Sequence, residues 1–340
     1  MNKLVLMSKS KIEELVVTRS GESKFGEQII ILPSLTNIYD DLINLDVKHV
    51  LIGIPEAVGV FANYGKSGAS KAWDATIKIL LNTQNNHLNR PEQLLILGHL
   101  DFSEAQKQLS KWDQNNEKHI KKARALVSEI DKEVSDVIYN VVKAGKIPIV
   151  IGGGHNNAYG NIKGSSLALN KKINVVNFDA HTDFRALEGR HSGNGFSYAF
   201  AEGFLNRYFI FGIHKNYNSQ NILNEALNAD NSIKYNTFES IEVQKIYKYK
   251  SEMKKALKYV SQDAFGIEID CDAIANVPSS AQTPSGFSVN QARQFVHFFG
   301  SHKKTSYLHI CEAAPTKKTA TQVGKLITYL ITDFIRANSN

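Results

Sequence analysis

The sequence predicts a three-layer α/β/α domain built on a central, mainly parallel sheet. Three observations lead there. From residue 48 onward, short runs that are apolar at nearly every position recur along the chain. Stretches with helical periodicity separate them. The polar motifs capable of chemistry all stand just past apolar runs, where open sheets of this class hold their ligands.

Residues 1–45 read as an N-terminal extension packed on the core, with one short strand at 28–32. Residues 46–340 read as a single domain. Val50-Leu51-Ile52-Gly53-Ile54 is a buried strand, followed by a loop at 55–67 and a helix at 69–81. A run at 94–97 precedes a charged linker. Periodicity over 117–144, closed by Gly145, predicts a long helix. Strands at 147–151 and 173–178 flank a helix at 156–168. Further strands are expected at 208–213, 232–235, 265–269 and 306–310. Helices are expected at 222–227, 251–260, 290–299 and 321–335. No repeat, low-complexity tract or long linker divides the chain.

At 340 residues and 42% hydrophobic, the chain can bury a large core. Its two cysteines, Cys271 and Cys311, lie in apolar segments and read as reduced core residues of a cytoplasmic protein. The Leu4-Val5-Leu6-Met7 stretch is too short for a signal sequence, and no run reaches the ~20 apolar residues of a membrane span. A net charge of +7 comes from scattered lysines, which argues for a solvated surface and against a nucleic-acid groove. The same charge suits a small anionic substrate. A homo-oligomer is left open.

Four apolar runs end in chemistry. Gly152-Gly153-Gly154 turns the chain sharply and sets His155 at a helix start. Asp179-Ala180-His181-Thr182-Asp183 begins with its polar side chains on one face if extended. Asp270-Cys271-Asp272 repeats that spacing, and Glu312 precedes Ala313-Ala314-Pro315. A glycine turn alone, or one Asp-x-Asp, is ordinarily structural. Together, His155, Asp179, His181, Asp183, Asp270 and Asp272 suit two divalent ions sharing carboxylates. Oxygen-rich ligation without thiolate favours Mn2+ over Zn2+. Two ions roughly 3.5–4 Å apart would acidify a water held between them.

In order and spacing, these motifs together with Ser192-Gly193-Asn194 resemble the arginase/agmatinase/formimidoylglutamase (ureohydrolase) family. The resemblance covers residue 48 to the C-terminus. It implies the arginase-like fold and a centre of two Mn2+ per chain held by the six residues above. It also implies that Glu312 binds the planar C–N cation of the substrate and that Asn194 meets the substrate's distal end.

Several departures point to one branch of the family. Gly154 stands where arginases and agmatinases usually have Asp, and Phe196 where arginases carry a proton-shuttle His. Asp183-Phe184-Arg185 and the loop Gly59 to Ala69 also resemble formimidoylglutamases. Glu268 and Ala275 fit less well, standing where the family commonly has Ser and Asp. Glu268 is expected to share a face with Asp270 and to perturb the site.

The resemblance therefore implies a hydrolase that cleaves N-formimidoyl-L-glutamate to L-glutamate and formamide. Asp183 would move a proton to the leaving nitrogen. Arg185, Asn63, Lys66 and Asn194 are candidates for the substrate carboxylates, with Arg185 foremost because a guanidinium fork matches a carboxylate. His191 and His214 read as structural, and His309 as core. Two other readings stand beside this one: a guanidino hydrolase releasing urea, and a noncatalytic metal-binding relative.

Overall fold

Among the described residues of the computed structural model (3–221, 223–224 and 232–338), nine strands form one sheet. They are β1 (Leu4–Leu6), β2 (His49–Gly53), β3 (Leu94–Leu100), β4 (Ile147–Ile151), β5 (Ile173–Phe178), β6 (Leu205–Ile213), β7 (Ile233–Thr237), β8 (Phe265–Asp270) and β9 (Thr305–Cys311). Their order is β1-β3-β2-β4-β9-β8-β5-β6-β7. Every pairing is parallel except β1 with β3. Strands β2, β5, β8 and β9 are buried at every position, because helices cover both faces.

The helices are α1 (Lys9–Leu15), α2 (Ile38–Ile43), α3 (Val58–Ala62), α4 (Ala72–Leu80), α5 (Ser103–Leu109), α6 (Glu117–Lys143), α7 (Ala158–Leu169), α8 (Gly195–Ala201), α9 (Tyr249–Val260), α10 (Val289–Gly300) and α11 (Ala320–Asn338). One face of the sheet packs on α4, α9, α10 and α11 through Trp73, Ile77, Met253, Phe295, Phe299, Leu330 and Phe334. The other packs on α2, α3, α5 and α6, joined by α7 and α8. Asn116 caps the 27-residue α6, accepting from Lys118 N–H, and the helix stops before Gly145 at φ +75°.

The N-terminal residues depart from expectation. The run at 28–32 contributes only a single parallel bridge, Ile30 to Leu95. The strand instead is β1, which pairs with the outer edge of β3 and has exposed Val5 at its middle. Two short helices, α1 and α2, also escaped the sequence reading, as did α3 inside the expected loop and α5 inside the expected linker. Each is seven residues or fewer, too short to show a period. The helix expected at 222–227 lies largely outside the described residues.

The end of α11 is tied to the sheet through His49. Its Nε2 stands 3.1 Å from Asn338 Oδ1, while Asn338 Nδ2 donates to Gly300 O at 2.8 Å. Burial, with some help from the Lys48 charge, lowers the ring to about 4. Between that value and the unfolded value near 6.5, the unfolded chain binds more protons. The stability gained by burying a neutral ring is thus complete above pH 6.5 and lost as pH falls towards 4. In chelator, urea unfolding should show a loss on the order of 3 kcal/mol across that window from this ring. His49→Gln should flatten the curve there; an unchanged curve would remove His49 as its cause.

Candidate metal centre

The four strands that carry the motifs, β4, β9, β8 and β5, are consecutive neighbours in the middle of the sheet. The chain leaves β4, skips over two positions to form β5, and later fills the gap with β8 and β9. That jump opens a crevice at the carboxyl ends of the strands. His155 follows β4, Asp179 to Asp183 follow β5, Asp270 and Asp272 close β8, and Glu312 follows β9.

The six expected ligands come together there. His155 Nδ1 lies 2.8 Å from Asp183 Oδ2, 3.1 Å from Asp270 Oδ2 and 3.3 Å from Asp179 Oδ2. His181 Nδ1 lies 3.5 Å from Asp179 Oδ1 and 3.9 Å from Asp272 Oδ2. The gathering does not come from strand alternation, as the spacing suggested. β5 ends at Phe178, and the chain then coils, with His181 N–H donating to Asp179 Oδ1 at 2.7 Å and Asp183 at φ +45°. Glu312 also sits in the left-handed region, at φ +62°. Two non-glycine residues held there, one on each side of the crevice, mark backbone strain stored at a site.

Charge is badly balanced in this cluster. Burial and neighbouring carboxylates push Asp183 and Asp270 upward, Asp270 strongly, and burial raises Asp272. Burial, then the Asp272 charge, lifts Glu312 to about 8. For His181, burial is outweighed by hydrogen bonding to Asp179 and the surrounding carboxylates, and the ring rises to about 10. Such a cluster wants cations.

The donor set fits divalent ions. Neither ring nitrogen of His155, nor Glu312 Oε2, makes an ordinary hydrogen bond among the described residues, although all three are fully enclosed. His155, Asp179, Asp183 and Asp270 can each offer one ligand atom to a common point. No thiolate competes: Cys311 lies behind His155 as a neutral thiol, its pKa pushed well up by burial. Both cysteines are free and buried.

Above the cluster is a cavity of about 390 Å³, lined by His181, Asp183, Asp270, Asp272 and Glu312 at its floor. Asn63, Arg185, Ser192, Gly193, Tyr217 and Asn218 are among its walls. Arg185 Nη1 donates to Asn63 Oδ1 at 2.7 Å, and Asn63 Nδ2 donates to Ser192 Oγ at 3.2 Å. Tyr217, absent from the sequence reading, stacks on His181 with ring centroids 5.4 Å apart.

Two expected substrate contacts are not brought to this cavity. Lys66 is exposed and outside its lining. Asn194 is fully buried with its whole amide committed: Oδ1 accepts from Arg190 Nη1 and His191 N, while Nδ2 donates to the carbonyls of Ala186 and Gly189. It shapes the loop from inside, and its neighbours Ser192 and Gly193 face the cavity. Arg190, another residue the sequence did not flag, holds that loop to α6. Its Nε stands 2.8 Å from Asp131 Oδ2, and its guanidinium lies between the rings of Tyr159 and Tyr198.

Gly154 and Phe196 have clear local reasons. A Cβ at Gly154 would lie 2.6 Å from Asn156 Oδ1, 2.8 Å from Val60 Cγ2 and 3.2 Å from Glu312 Oε1. An aspartate there would press a second carboxylate onto Glu312. Phe196 is buried edge-on to His155 at 5.0 Å and stacks on Tyr208 at 4.3 Å. Ala275 contributes backbone, donating to Phe287 O at 3.0 Å. His191 and His214 are buried beside the loop and wall, His214 stacked between Tyr217 and Phe238.

The sequence pattern of the arginase family matches residues 48–335. The chain belongs to the arginase family. Among curated relatives of this arginase-family chain, formimidoylglutamase from Streptococcus gordonii is 29% identical over 307 residues, covering 84% of each chain. Among solved structures, formimidoylglutamase from Bacillus subtilis superposes with a TM-score of 0.73 at 18% identity, covering 95% of this chain and 94% of that one. Trypanosoma cruzi formiminoglutamase, solved with Mn2+, superposes with a TM-score of 0.72 at 17% identity, covering 93% and 98%. The three-layer sheet is thus the arginase fold. No helix among the described residues is long and apolar enough to cross a membrane.

Proposed function

We propose that this chain is a cytoplasmic hydrolase that cleaves N-formimidoyl-L-glutamate to L-glutamate and formamide with two Mn2+ ions. The observation that carries the reading is one cavity with two unlike ends. Its floor gathers the carboxylates around His155 and His181, with the unpartnered Glu312 Oε2; its wall presents the Arg185 guanidinium. A substrate with an amidine at one end and carboxylates at the other matches both. The names borne by the relatives support the same reading.

His155, Asp179, His181, Asp183, Asp270 and Asp272 would hold the two ions. When bound, they would supply a water acidified enough to act as nucleophile near neutral pH. Glu312 Oε2 accepts hydrogen bonds from the amidinium and fixes the plane of the reacting carbon. Its other oxygen accepts from the backbone N–H of His155 at 2.7 Å, which restrains the carboxylate. Asp183, whose side chain is 13% exposed, borders the cavity and can pass the proton of the attacking water to the departing nitrogen. As the C–N bond breaks, that nitrogen leaves as the amine of glutamate, and the formimidoyl carbon leaves as formamide. Arg185, braced by Asn63, takes a substrate carboxylate.

An assay with Mn2+ over formimidoylglutamate, arginine, agmatine and guanidinobutyrate, scoring formamide against urea, tests this directly. Formamide from the first substrate is expected. Urea from a guanidino compound, with formimidoylglutamate inert, would replace the proposal with a guanidino hydrolase. Absence of turnover on all four would favour a binding relative. Arg185→Ala should raise KM by about 10- to 150-fold with a smaller change in kcat, the worth of a charged hydrogen bond. An unchanged KM would remove Arg185 from substrate recognition.

A further inference from the structure

Behind His155, on the side away from the aspartates, lies a second buried group with no role in the scheme above. Glu268 projects from β8 two residues before Asp270 and is wholly enclosed. Its Oε1 accepts from Tyr307 Oη at 2.8 Å. Its Oε2 stands 2.6 Å from His309 Nδ1 and 3.4 Å from His155 Nε2. His309 Nε2 faces the carbonyl of Gly152 at 3.3 Å, within the turn that carries His155. The network therefore links β8, β9 and the end of β4 beneath the crevice.

We propose that Glu268 is a positioning residue for the metal centre, accepting the Nε2 proton of His155 so that the free lone pair stays on Nδ1, facing Asp179, Asp183 and Asp270. The assignment rests on the two-ion reading of the site. A neutral imidazole has one N–H and one lone pair, and the hydrogen bond made by one nitrogen decides what the other can bind. Here acceptors flank both sides of the ring, so the tautomer must be chosen by the stronger or better-placed one. The carboxylates on the Nδ1 side are the ones a cation would engage. Glu268 then remains as the acceptor for the proton.

Two features make this more than proximity. Glu268 is itself held from both oxygens by Tyr307 and His309, so its carboxylate is a fixed reference. Phe196 stands edge-on to the His155 ring at an interplanar angle of 89°, closing space into which the ring could turn. At 3.4 Å the Nε2 to Oε2 separation exceeds an ordinary hydrogen bond, and it needs to close by only about 0.4 Å when the ring is drawn into place. Carboxylates behind metal-bound histidines typically change metal affinity 10- to 100-fold when removed.

Mn2+ titration of the full chain, followed by calorimetry and by the electron spin resonance of the bound ions, tests the assignment. The unaltered protein is expected to bind two ions that show magnetic coupling. Glu268→Met, which keeps bulk but offers no acceptor, should weaken one ion about 10- to 100-fold and give an uncoupled signal at intermediate Mn2+. Glu268→Gln can turn its carbonyl oxygen to the shared position and should restore most of the affinity. Native affinity for both ions in folded Glu268→Met, even with a lowered melting temperature, would overturn the proposal. If that variant does not fold, a Mn2+-loaded crystal structure of the unaltered chain decides. An Nε2 to Oε2 distance near 3.0 Å supports the assignment, and a ring with Nε2 turned to the ion overturns it. Failure of the unaltered chain to bind Mn2+ would overturn the two-ion reading as well, and would be seen before any variant is made.

Discussion

On the two-ion proposal, Asp270→Ala and Asp179→Ala should each bind fewer than two Mn2+ per chain and lose at least about 10³-fold in kcat/KM, because the ions would supply several kcal/mol of transition-state stabilisation. The metal-free variants should behave differently. In the absence of cations, Asp270 is pushed strongly upward by burial and by the Asp272 and Asp179 charges, so the folded chain carries repulsion at this point. Removing that carboxylate relieves the strain. Metal-free Asp270→Ala is therefore expected to be as stable as the metal-free parent, or more so. Saturating Mn2+ should reverse the ranking, since an ion at 100 times its Kd adds about 2.7 kcal/mol to the parent. Metal analysis, formamide release and thermal unfolding with and without chelator measure all three effects. Full Mn2+ content together with full activity in either variant would end the site assignment.

Glu56→Ala should cost about 3–5 kcal/mol in unfolding free energy, because it leaves several buried donors unmet at about 1–3 kcal/mol each. Glu56 is entirely enclosed between β2 and α3, yet it has no cationic partner among its hydrogen bonds. Its Oε2 accepts from Val58 N–H at 2.6 Å and Gly59 N–H at 3.3 Å. Its Oε1 accepts from Gly154 N–H at 3.0 Å, Asn157 Nδ2 at 2.7 Å and Asn156 Nδ2 at 3.2 Å. Alanine would leave the Val58, Gly59 and Gly154 N–H groups and Asn156 Nδ2 buried and unmet. Glu56→Gln should do little better, because an amide NH2 facing either set puts donor against donor. The same bonds hold the turn that presents His155, so Mn2+ affinity should fall as well. Urea unfolding and Mn2+ titration read the two consequences separately. Parental stability in Glu56→Gln would show that the anchor is dispensable.

Glu56 and Glu268 show where sequence reading stops. Glu56 is the one acid in the apolar run Ile-Pro-Glu-Ala-Val, and Glu268 stands two residues before Asp270 in Gly-Ile-Glu-Ile-Asp. A buried acid in such a run is a signal that something must satisfy it, but the distant partners are Gly154, Asn156 and Asn157 for Glu56, and Tyr307, His309 and His155 for Glu268. Those residues lie from 39 to more than a hundred positions away along the chain. Glu268 read as a perturbation because its face was known and its partners were not. Asn194 failed in the opposite sense. Its motif suggested a substrate contact, and only the closed loop reveals that all four of its hydrogen bonds are spent internally.

From the linear chain alone came the long helix α6, the buried strands β2, β4, β5, β8 and β9, and the six residues that gather around His155 and His181. These follow from local rules: unbroken apolar runs, a period near 3.6, glycine turns, and polar residues at strand ends. Tertiary structure decided the rest. It paired β1 with the edge of β3, reduced 28–32 to one bridge, coiled Asp179 to Asp183 so that their side chains converge, and turned Lys66 outward. The strand pairings and the coil at 179–183 depend on which distant backbone or side chain is available to satisfy a buried polar group, and pairing between remote partners leaves no periodic trace in the residues themselves.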